Sequence, residues 1–357
     1  MGRNIFQLSL IIAFLCIGAY PARADVLEDN SSSSVYAYFS ITDSGDDSSL
    51  SYEKFSQQIE EIGLGNYTVL ALPELLAKQK SGESLPPNTI ALTFDEPDEE
   101  TYSKAIPLLV QNKIPFTVFI SPGLAEASEW ETLKNLQEND FVTIGLSTFS
   151  YGHLGSWVEE KITADLNRAK SIYREQLGRE PLYFAYPLGE YSFAFVNAVQ
   201  KAGFHAAFGQ NSGVITQSTD MMKLPRFTMT DDFGDLERFR TTSNAMPFPV
   251  KDITPDTSYM NAMPDIGFTI SDQISSDDMK KTKCFSSGSI QPQTAFLGSG
   301  RVELRFPEIP VTERLRINCT IPVAGELPDD DPRYRWLGFL LYFPVKTEAA
   351  DFNPVQP

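Results

Sequence analysis

The chain has 357 residues, of which 42% are hydrophobic and 21% are charged. This composition is typical of a globular protein with one large domain or two smaller ones. The formal net charge of −18 argues against nucleic-acid binding and against adhesion to anionic lipid, because both need a basic surface. An acidic protein suits a neutral or cationic partner, although solubility alone also explains the charge.

The first 24 residues have the features of a secretory signal peptide. Arg3 supplies the positive start, residues 5–20 are mostly apolar, and Ala22-Arg23-Ala24 offers a small-x-small cleavage site. The apolar run is too short and too interrupted for a membrane span. The sequence therefore predicts a secreted or periplasmic protein with no membrane span after cleavage, and with a mature charge of about −20 after loss of two arginines.

From residue 35 onward, apolar runs typical of strands alternate with amphipathic helices. The predicted strands cover residues 35–41, 67–70, 90–94, 115–120, 141–145, 182–186 and 204–208, and the predicted helices cover residues 52–62, 73–77, 100–111, 130–136, 158–177 and 193–202. Because these strands are apolar on both faces, they indicate a parallel sheet covered by helices. We therefore expect an α/β domain over residues 25–245, a barrel or barrel-like fold with functional loops at the strand C-termini.

The strand at residues 90–94 ends in two adjacent carboxylates, Asp95 and Glu96. The carboxyl edge of a parallel sheet is where α/β enzymes place their chemistry. This pair is therefore the first candidate for a functional site.

The character of the sequence changes after residue 245. Residues 246–264 are rich in proline and predict a linker, and residues 265–347 show short alternating runs typical of a small antiparallel β-sandwich, followed by a tail at 348–357. Cys284 and Cys319 lie in this region, and export predicts a disulfide between them. Two free, buried thiols are the alternative.

Four segments resemble the motifs of polysaccharide deacetylases, the carbohydrate esterase family 4 with its NodB-homology domain. Thr93-Phe94-Asp95-Glu96 resembles the family's Thr-Phe-Asp-Asp motif. The other segments occur in the family's order and are residues 105–120, Ile144-Gly145 and residues 184–191. The resemblance covers about residues 35–240 and implies a NodB-type distorted (β/α) barrel.

The resemblance also implies a metal-dependent N-deacetylase that acts on N-acetylated glycans. In such enzymes an Asp and two His hold a divalent cation, usually zinc, which polarises the acetamide carbonyl and acidifies a bound water. Carried over to this chain, Asp95 matches the general base and Glu96 occupies the position of the metal-binding Asp. Glu is one methylene longer than Asp but can still bind a metal.

The second motif departs from the family pattern, which is His-x-x-x-His. Ser147 and Tyr151 stand at the two His positions, and a neutral hydroxyl and a phenol are poor zinc ligands. The chain has two His in all. His153 is either a substitute ligand or a His of the turn, and His205 lies in a different predicted strand, where we expect it to pack.

The third motif is partly preserved at Tyr186, Pro187 and Leu188, which the resemblance assigns to substrate and oxyanion binding. Leu188 stands where a backbone N–H helps to bind the oxyanion, and such a donor survives a change of side chain. Ala185 replaces the family's usual Arg, and no His follows residue 205 to serve as the general acid.

Three interpretations remain open at this stage. The chain is a working deacetylase with an altered centre and a zinc-like metal, a catalytically inactive relative that binds glycan or an envelope partner and needs no metal, or a passive scaffold. The loss of both His ligands favours low or no activity, because a catalytic zinc needs three protein ligands.

Overall fold

The computed structural model describes residues 31–46, 48–310, 312–323 and 333–344. The predicted signal peptide and the tail at 348–357 lie outside these residues. The strands are, in chain order, β1 (Ser33–Tyr38), β2 (Ser40–Thr42), β3 (Ser49–Ser51), β4 (Thr68–Val69), β5 (Thr89–Asp95), β6 (Phe116–Ile120), β7 (Val142–Leu146), β8 (Tyr183–Ala185), β9 (Ala206–Phe208), β10 (Val214–Ile215), β11 (Phe227–Thr228), β12 (Met246–Pro247), β13 (Val250–Thr254), β14 (Ile266–Ile270), β15 (Lys283–Ser286), β16 (Gln293–Phe296), β17 (Arg301–Arg305), β18 (Arg314–Pro322) and β19 (Tyr334–Tyr342).

Helices cover the main sheet as the alternating pattern predicts. They are α1 (Tyr52–Leu64), α2 (Leu72–Ser81), α3 (Glu99–Asn112), α4 (Ala127–Leu136), α5 (Glu159–Leu177), α6 (Phe193–Lys201) and α7 (Leu236–Ser243), while the short α8 (Ser276–Met279) lies in the C-terminal part. Local chemistry fixes several of their ends: the Asp98 side chain accepts from the Thr101 N–H at the start of α3, and Gly178 ends α5 in the left-handed conformation that glycine adopts at little cost. Within the described ranges, no helix is long and apolar enough to cross a membrane.

The main sheet has nine strands in the order β10-β1-β5-β6-β7-β8-β9, with β11 also paired to β1 and β4 to β5. Strands β1 and β5 to β9 pair in parallel, so their carboxyl ends meet at one edge. The sheet is curled into a half-barrel with helices packed on it, which confirms the predicted NodB-type distorted barrel.

The segment after β9 brings the two edges of the curled sheet together. Leu224 forms a parallel bridge with Phe208 in β9, and β11 pairs in parallel with β1 three residues later. Arg226 lies between these two contacts and is completely buried. A buried guanidinium therefore stands at the seam of the half-barrel, beside the carboxyl end of β5.

The C-terminal part consists of two four-stranded sheets, β12-β19-β18-β15 and β13-β14-β17-β16, which share one apolar core. Cys284 in β15 and Cys319 in β18 are directly opposite each other and form the predicted disulfide. Residues 246–264, predicted to be a linker, instead supply β12 and β13. Pro247 is tolerated in β12 because this strand lies at a sheet edge, where a missing N–H breaks no ladder on the outer side.

Candidate functional site

The carboxyl end of β5 places Asp95 against the buried Arg226. The guanidinium donates to both carboxylate oxygens of Asp95, at 2.7 and 2.6 Å, and also to Thr93 Oγ1 and to the Gly209 carbonyl, each at 2.9 Å. Two parallel N–H···O bonds between a guanidinium and a carboxylate are the strongest ion-pair geometry that proteins use. The Asp95 side chain is therefore firmly oriented by Arg226.

Glu96 follows in the left-handed conformation, with φ of 50°, which is uncommon for a residue other than glycine. Its Oε2 accepts from the Ser121 N–H at 3.0 Å. Its Oε1 is buried and has no hydrogen-bond partner among the described residues. Burial of the side chain, with the neighbouring Asp95 charge adding to it, raises the pKa of Glu96 to about 8, against the effect of Ser121. Glu96 therefore carries a proton at neutral pH.

Ser147 and Tyr151 lie at the same edge, as their positions in the sequence predict. Ser147 is buried at the end of β7, and its hydroxyl donates to the Ala185 carbonyl at 2.9 Å. Burial, reinforced by the charges of Asp95 and Glu96, raises the pKa of the Tyr151 phenol, while a backbone hydrogen bond from Leu188 opposes the rise. Both side chains are neutral hydroxyls in this setting.

His153 contacts groups on the C-terminal side of the site. Its Nδ1 lies 2.8 Å from Oε2 of the buried Glu190, and its ring stacks on Tyr342 with centroids 4.1 Å apart and an interplanar angle of 4°. The carboxylate and the aromatic face account for the orientation of the ring. His205, expected to pack in the interior, is exposed, and its ring makes an edge contact with Tyr183.

The third motif forms a tight turn after β8. Tyr186 is buried and its hydroxyl donates to the Met222 carbonyl at 2.9 Å, and Pro187 is buried beside it. Leu188 takes a left-handed conformation with φ of 56°. Its carbonyl accepts from Arg314 of β18, which ties the third-motif turn to the C-terminal sheet.

These donors do not fit the metal site that the family resemblance implies. A family-type zinc centre needs three protein ligands of imidazole or carboxylate character, and in place of these this site offers the Glu96 carboxyl and two hydroxyls. Nowhere in the described ranges do three His, Cys, Asp or Glu side chains converge in a way that could hold a metal. The predicted ligands Glu96 and His153 therefore have no third partner among the described residues. In addition, Nδ1 of His153 already contacts Glu190.

Two arginines at the site were not predicted from the sequence. Arg226 supplies a guanidinium to Asp95 although the third motif has Ala185 where the family has Arg. Arg314 comes from the C-terminal sheet and reaches Leu188, Glu190 and Gln210. The position of Arg226 just before β11 was a weak indication that its side chain reaches this edge of the sheet. Nothing in the sequence connects Arg314 with this edge.

Comparisons with known proteins agree with the fold. Residues 82–207 match the family model described as polysaccharide deacetylase. The chain is 24% identical over 200 residues to the poly-beta-1,6-N-acetyl-D-glucosamine N-deacetylase of Staphylococcus aureus (strain MSSA476), covering 52% of this chain and 69% of that protein. The protein of the same name from Staphylococcus epidermidis is 21% identical over 200 residues, with the same coverage of each chain.

Two solved structures show the same fold. The structure of IcaB from Ammonifex degensii superposes with a TM-score of 0.52 at 21% identity, over 59% of this chain and 96% of that one. The Streptococcus pyogenes deacetylase PplD, in complex with acetate, gives a TM-score of 0.55 at 17% identity, over 59% and 98%. The match over residues 82–207, these relatives and the shared fold show that this part of the chain is similar to polysaccharide deacetylases.

Proposed function

We propose that this protein binds an N-acetylated amino-sugar polymer at the carboxyl edge of its main sheet and does not hydrolyse it by the metal-dependent route of its family. One observation carries this proposal: Ser147 and Tyr151 occupy the two positions where the family has metal-binding His. The Ser147 hydroxyl is already bonded within the protein, to the Ala185 carbonyl. Replacing two of three ligands lowers metal affinity by many orders of magnitude, since each contributes directly to binding.

The ligand class rests on the family and on what the site retains. The staphylococcal relatives are named for poly-beta-1,6-N-acetyl-D-glucosamine, a polymer of neutral, acetamide-bearing sugars. The site keeps the Asp95 carboxylate, the tight turn at Leu188 and the Tyr151 phenol at one edge. Hydroxyl and acetamide groups of a sugar need such donors and acceptors on a concave surface.

We propose that the protein acts outside the cytoplasm, in the periplasm or as a secreted protein. The signal-like features of residues 1–24 support export. The Cys284–Cys319 disulfide also supports it, because such bonds persist in oxidising compartments. The same proposal includes a deacetylase-like unit over residues 25–245 and a β-sandwich unit that ends near residue 347, with its first strands inside 246–264.

A metal-dependent hydrolase is the second candidate, and one observation favours it. Asp95 occupies the position of the family's general base, and Oε1 of the neighbouring Glu96 is a buried oxygen with no hydrogen-bond partner among the described residues. Catalysis would still require two further ligands, and the described residues at this edge do not supply them as a cluster of His, Cys, Asp or Glu.

The two candidates are separated by measuring binding and acetate release on the same preparation. Purified mature protein is titrated with oligomers of β-1,4- and β-1,6-linked N-acetylglucosamine, with and without EDTA, and acetate release is assayed with added zinc or cobalt. We expect binding that EDTA leaves unchanged and no acetate above the protein-free rate. Acetate release that depends on added metal would refute the proposal, as would absence of binding to every oligomer.

A matched pair of tyrosine variants locates the binding site. Tyr151→Phe removes the phenol at the carboxyl edge, and we expect a loss of roughly 2- to 10-fold in affinity, the usual worth of one hydrogen bond. Tyr67→Phe is the control, because its phenol bonds Glu61 beside β4, which pairs with the opposite end of β5. Equal affinities for both variants and wild type would place the ligand elsewhere.

A further inference from the structure

The C-terminal sheet presents one of its faces to the candidate site. Along β18, Leu315, Ile317, Cys319 and Ile321 point into the core of the sandwich, so the alternate residues point to the other face. Arg314 and Arg316 lie on that other face, and both reach the deacetylase-like unit. The outer face of this sheet is therefore covered by the deacetylase-like unit.

The two units approach each other at backbone distance. Gly338 in β19 has no room for a side chain, because a Cβ there would lie 2.3 Å from the Ser212 carbonyl oxygen. Gly213 and Leu337 form an antiparallel bridge between the units. Such close backbone contact fixes where β18 and β19 end relative to the carboxyl edge of the main sheet.

Arg314 uses this placement to hold the third-motif turn. Its guanidinium donates to the Leu188 carbonyl, to Oε1 of Glu190 at 3.3 Å and to Oε1 of Gln210 at 2.9 Å. Glu190 is buried, and Arg314 keeps 29% of its side chain exposed. A planar fork that bonds three acceptors from one side restricts the turn far more than a point charge could.

The neighbouring contacts reinforce the same turn. Arg316 donates to both the backbone and the side-chain oxygen of Gln210, at 2.7 and 3.1 Å. Gln210 in turn packs against Gly189, where a Cβ would lie 2.4 Å from the Gln210 side chain. Tyr342, directly opposite Arg314 in the strand pair, stacks on His153.

Arg314 thus holds the Leu188 peptide through its carbonyl. Leu188 adopts a left-handed conformation that costs about 1–2 kcal/mol for a residue with a Cβ. The bond from Arg314 offsets this cost, so its loss releases the turn.

We infer that the C-terminal sheet forms a wall of the candidate site and that Arg314 is a positioning residue, which sets glycan affinity by holding the turn at Leu188 to Glu190. The inference rests on the proposed function for the identity of the ligand. It differs from a role of the β-sandwich as a separate carbohydrate-binding module, because here the sandwich acts through the deacetylase-like unit.

The test compares Arg314→Ala and Arg314→Lys with Arg305→Ala in the full mature chain. Arg305 is the matched control, because it lies in β17 of the other sheet with 61% of its side chain exposed and pairs only with nearby Glu303 among the contacts described. Amide hydrogen exchange is followed in residues 183–192 and in residues 89–95. Affinity for N-acetylglucosamine oligomers is measured on the same samples.

We expect Arg314→Ala to speed exchange at residues 188–190 at least ~10-fold and to weaken glycan binding by ~10-fold or more, because hydrogen bonds from a charged group are worth that much each. Residues 89–95 should exchange as in wild type. Arg314→Lys should give intermediate values, since its ammonium keeps the charge but not the fork. The Arg305→Ala control should match wild type in both measurements.

Two results would overturn the inference. One is an exchange result: either the rate at residues 188–190 is unchanged, or the rate at residues 89–95 rises equally, and the latter would indicate a general loss of stability. The other is unchanged glycan affinity despite faster exchange at residues 188–190. If wild type binds no oligomer, the proposed function fails, and the exchange measurement alone decides whether Arg314 positions the turn.

Discussion

The buried pair of Arg226 and Asp95 gives the most quantitative prediction. Arg226 has 0% of its side chain exposed and Asp95 has 5%, and four hydrogen bonds join the guanidinium to its surroundings. Arg226→Met keeps a long apolar stem but leaves the Asp95 carboxylate buried without its counter-charge. Breaking a buried pair in this way costs about 3–5 kcal/mol of stability.

A double variant tests whether the cost comes from the unpaired charge. Asp95→Leu combined with Arg226→Met removes both charges, and apolar replacement of a whole buried pair is often close to neutral. We therefore expect each single variant to lose about 3–5 kcal/mol and the double variant to lose clearly less than their sum. Urea unfolding at pH 7, followed by circular dichroism, measures all three against wild type.

The control is Arg305→Met, an exposed arginine whose replacement should change the free energy of unfolding by less than about 0.5 kcal/mol. Strictly additive losses for Asp95→Leu and Arg226→Met would contradict the ion-pair reasoning. So would a loss below about 1 kcal/mol for Arg226→Met, since it would mean that Asp95 is not held as a buried carboxylate.

Three further predictions follow from single groups. Because the folded-state pKa of Glu96 is raised from 4.5 to about 8, unfolding releases its proton between these values, and stability falls as pH rises through that window and levels off above it. Glu96→Gln should lack this fall, so its free energy of unfolding relative to wild type should increase between pH 5 and pH 8, by at most about 5 kcal/mol. If the free energies of unfolding of the two proteins, measured with urea, changed equally with pH, the shift would be excluded. Replacing Cys284 and Cys319 by Ser opens a loop with a sequence separation of 35 and should cost about 4 kcal/mol in the chain-entropy model, and a loss near zero by thermal unfolding would show that the bond does not form. Tyr186→Phe removes the bond to the Met222 carbonyl and should lower the free energy of unfolding by about 1 kcal/mol without changing glycan affinity. A large loss of affinity would instead show that Tyr186 contacts the ligand directly, which its burial argues against.

The sequence predicts the elements that depend on local pattern. Strand β5 and the two acids after it follow from an apolar run that ends in charge, and the alternation of strands and helices predicts the curled parallel sheet. The Cys284–Cys319 pair follows from the predicted export and from the position of both cysteines in one small region. Motif spacing also predicts that Ser147 and Tyr151 lie near Asp95 and Glu96.

The sequence does not predict contacts that depend on how distant segments meet. Arg226 is 131 positions from Asp95, and its role depends on how the segment around β11 closes the half-barrel. Arg314 reaches the turn at Leu188 because β18 presents alternate residues to the other unit, which only the packing of the two units reveals. Residues 246–264 look like a linker because β12 has two residues and includes a proline, too short a run for a periodic signal.

We propose that Ser147 and Tyr151, at the two His positions, leave the site without a family-type metal centre. The most direct measurement is the zinc content of the mature protein after dialysis against buffer with a small excess of zinc, by elemental analysis on the same sample used for acetate release. We expect well below one equivalent of zinc per chain and no acetate released from N-acetylglucosamine oligomers. One tightly held equivalent, with acetate release that is lost in Glu96→Gln, would contradict the proposal.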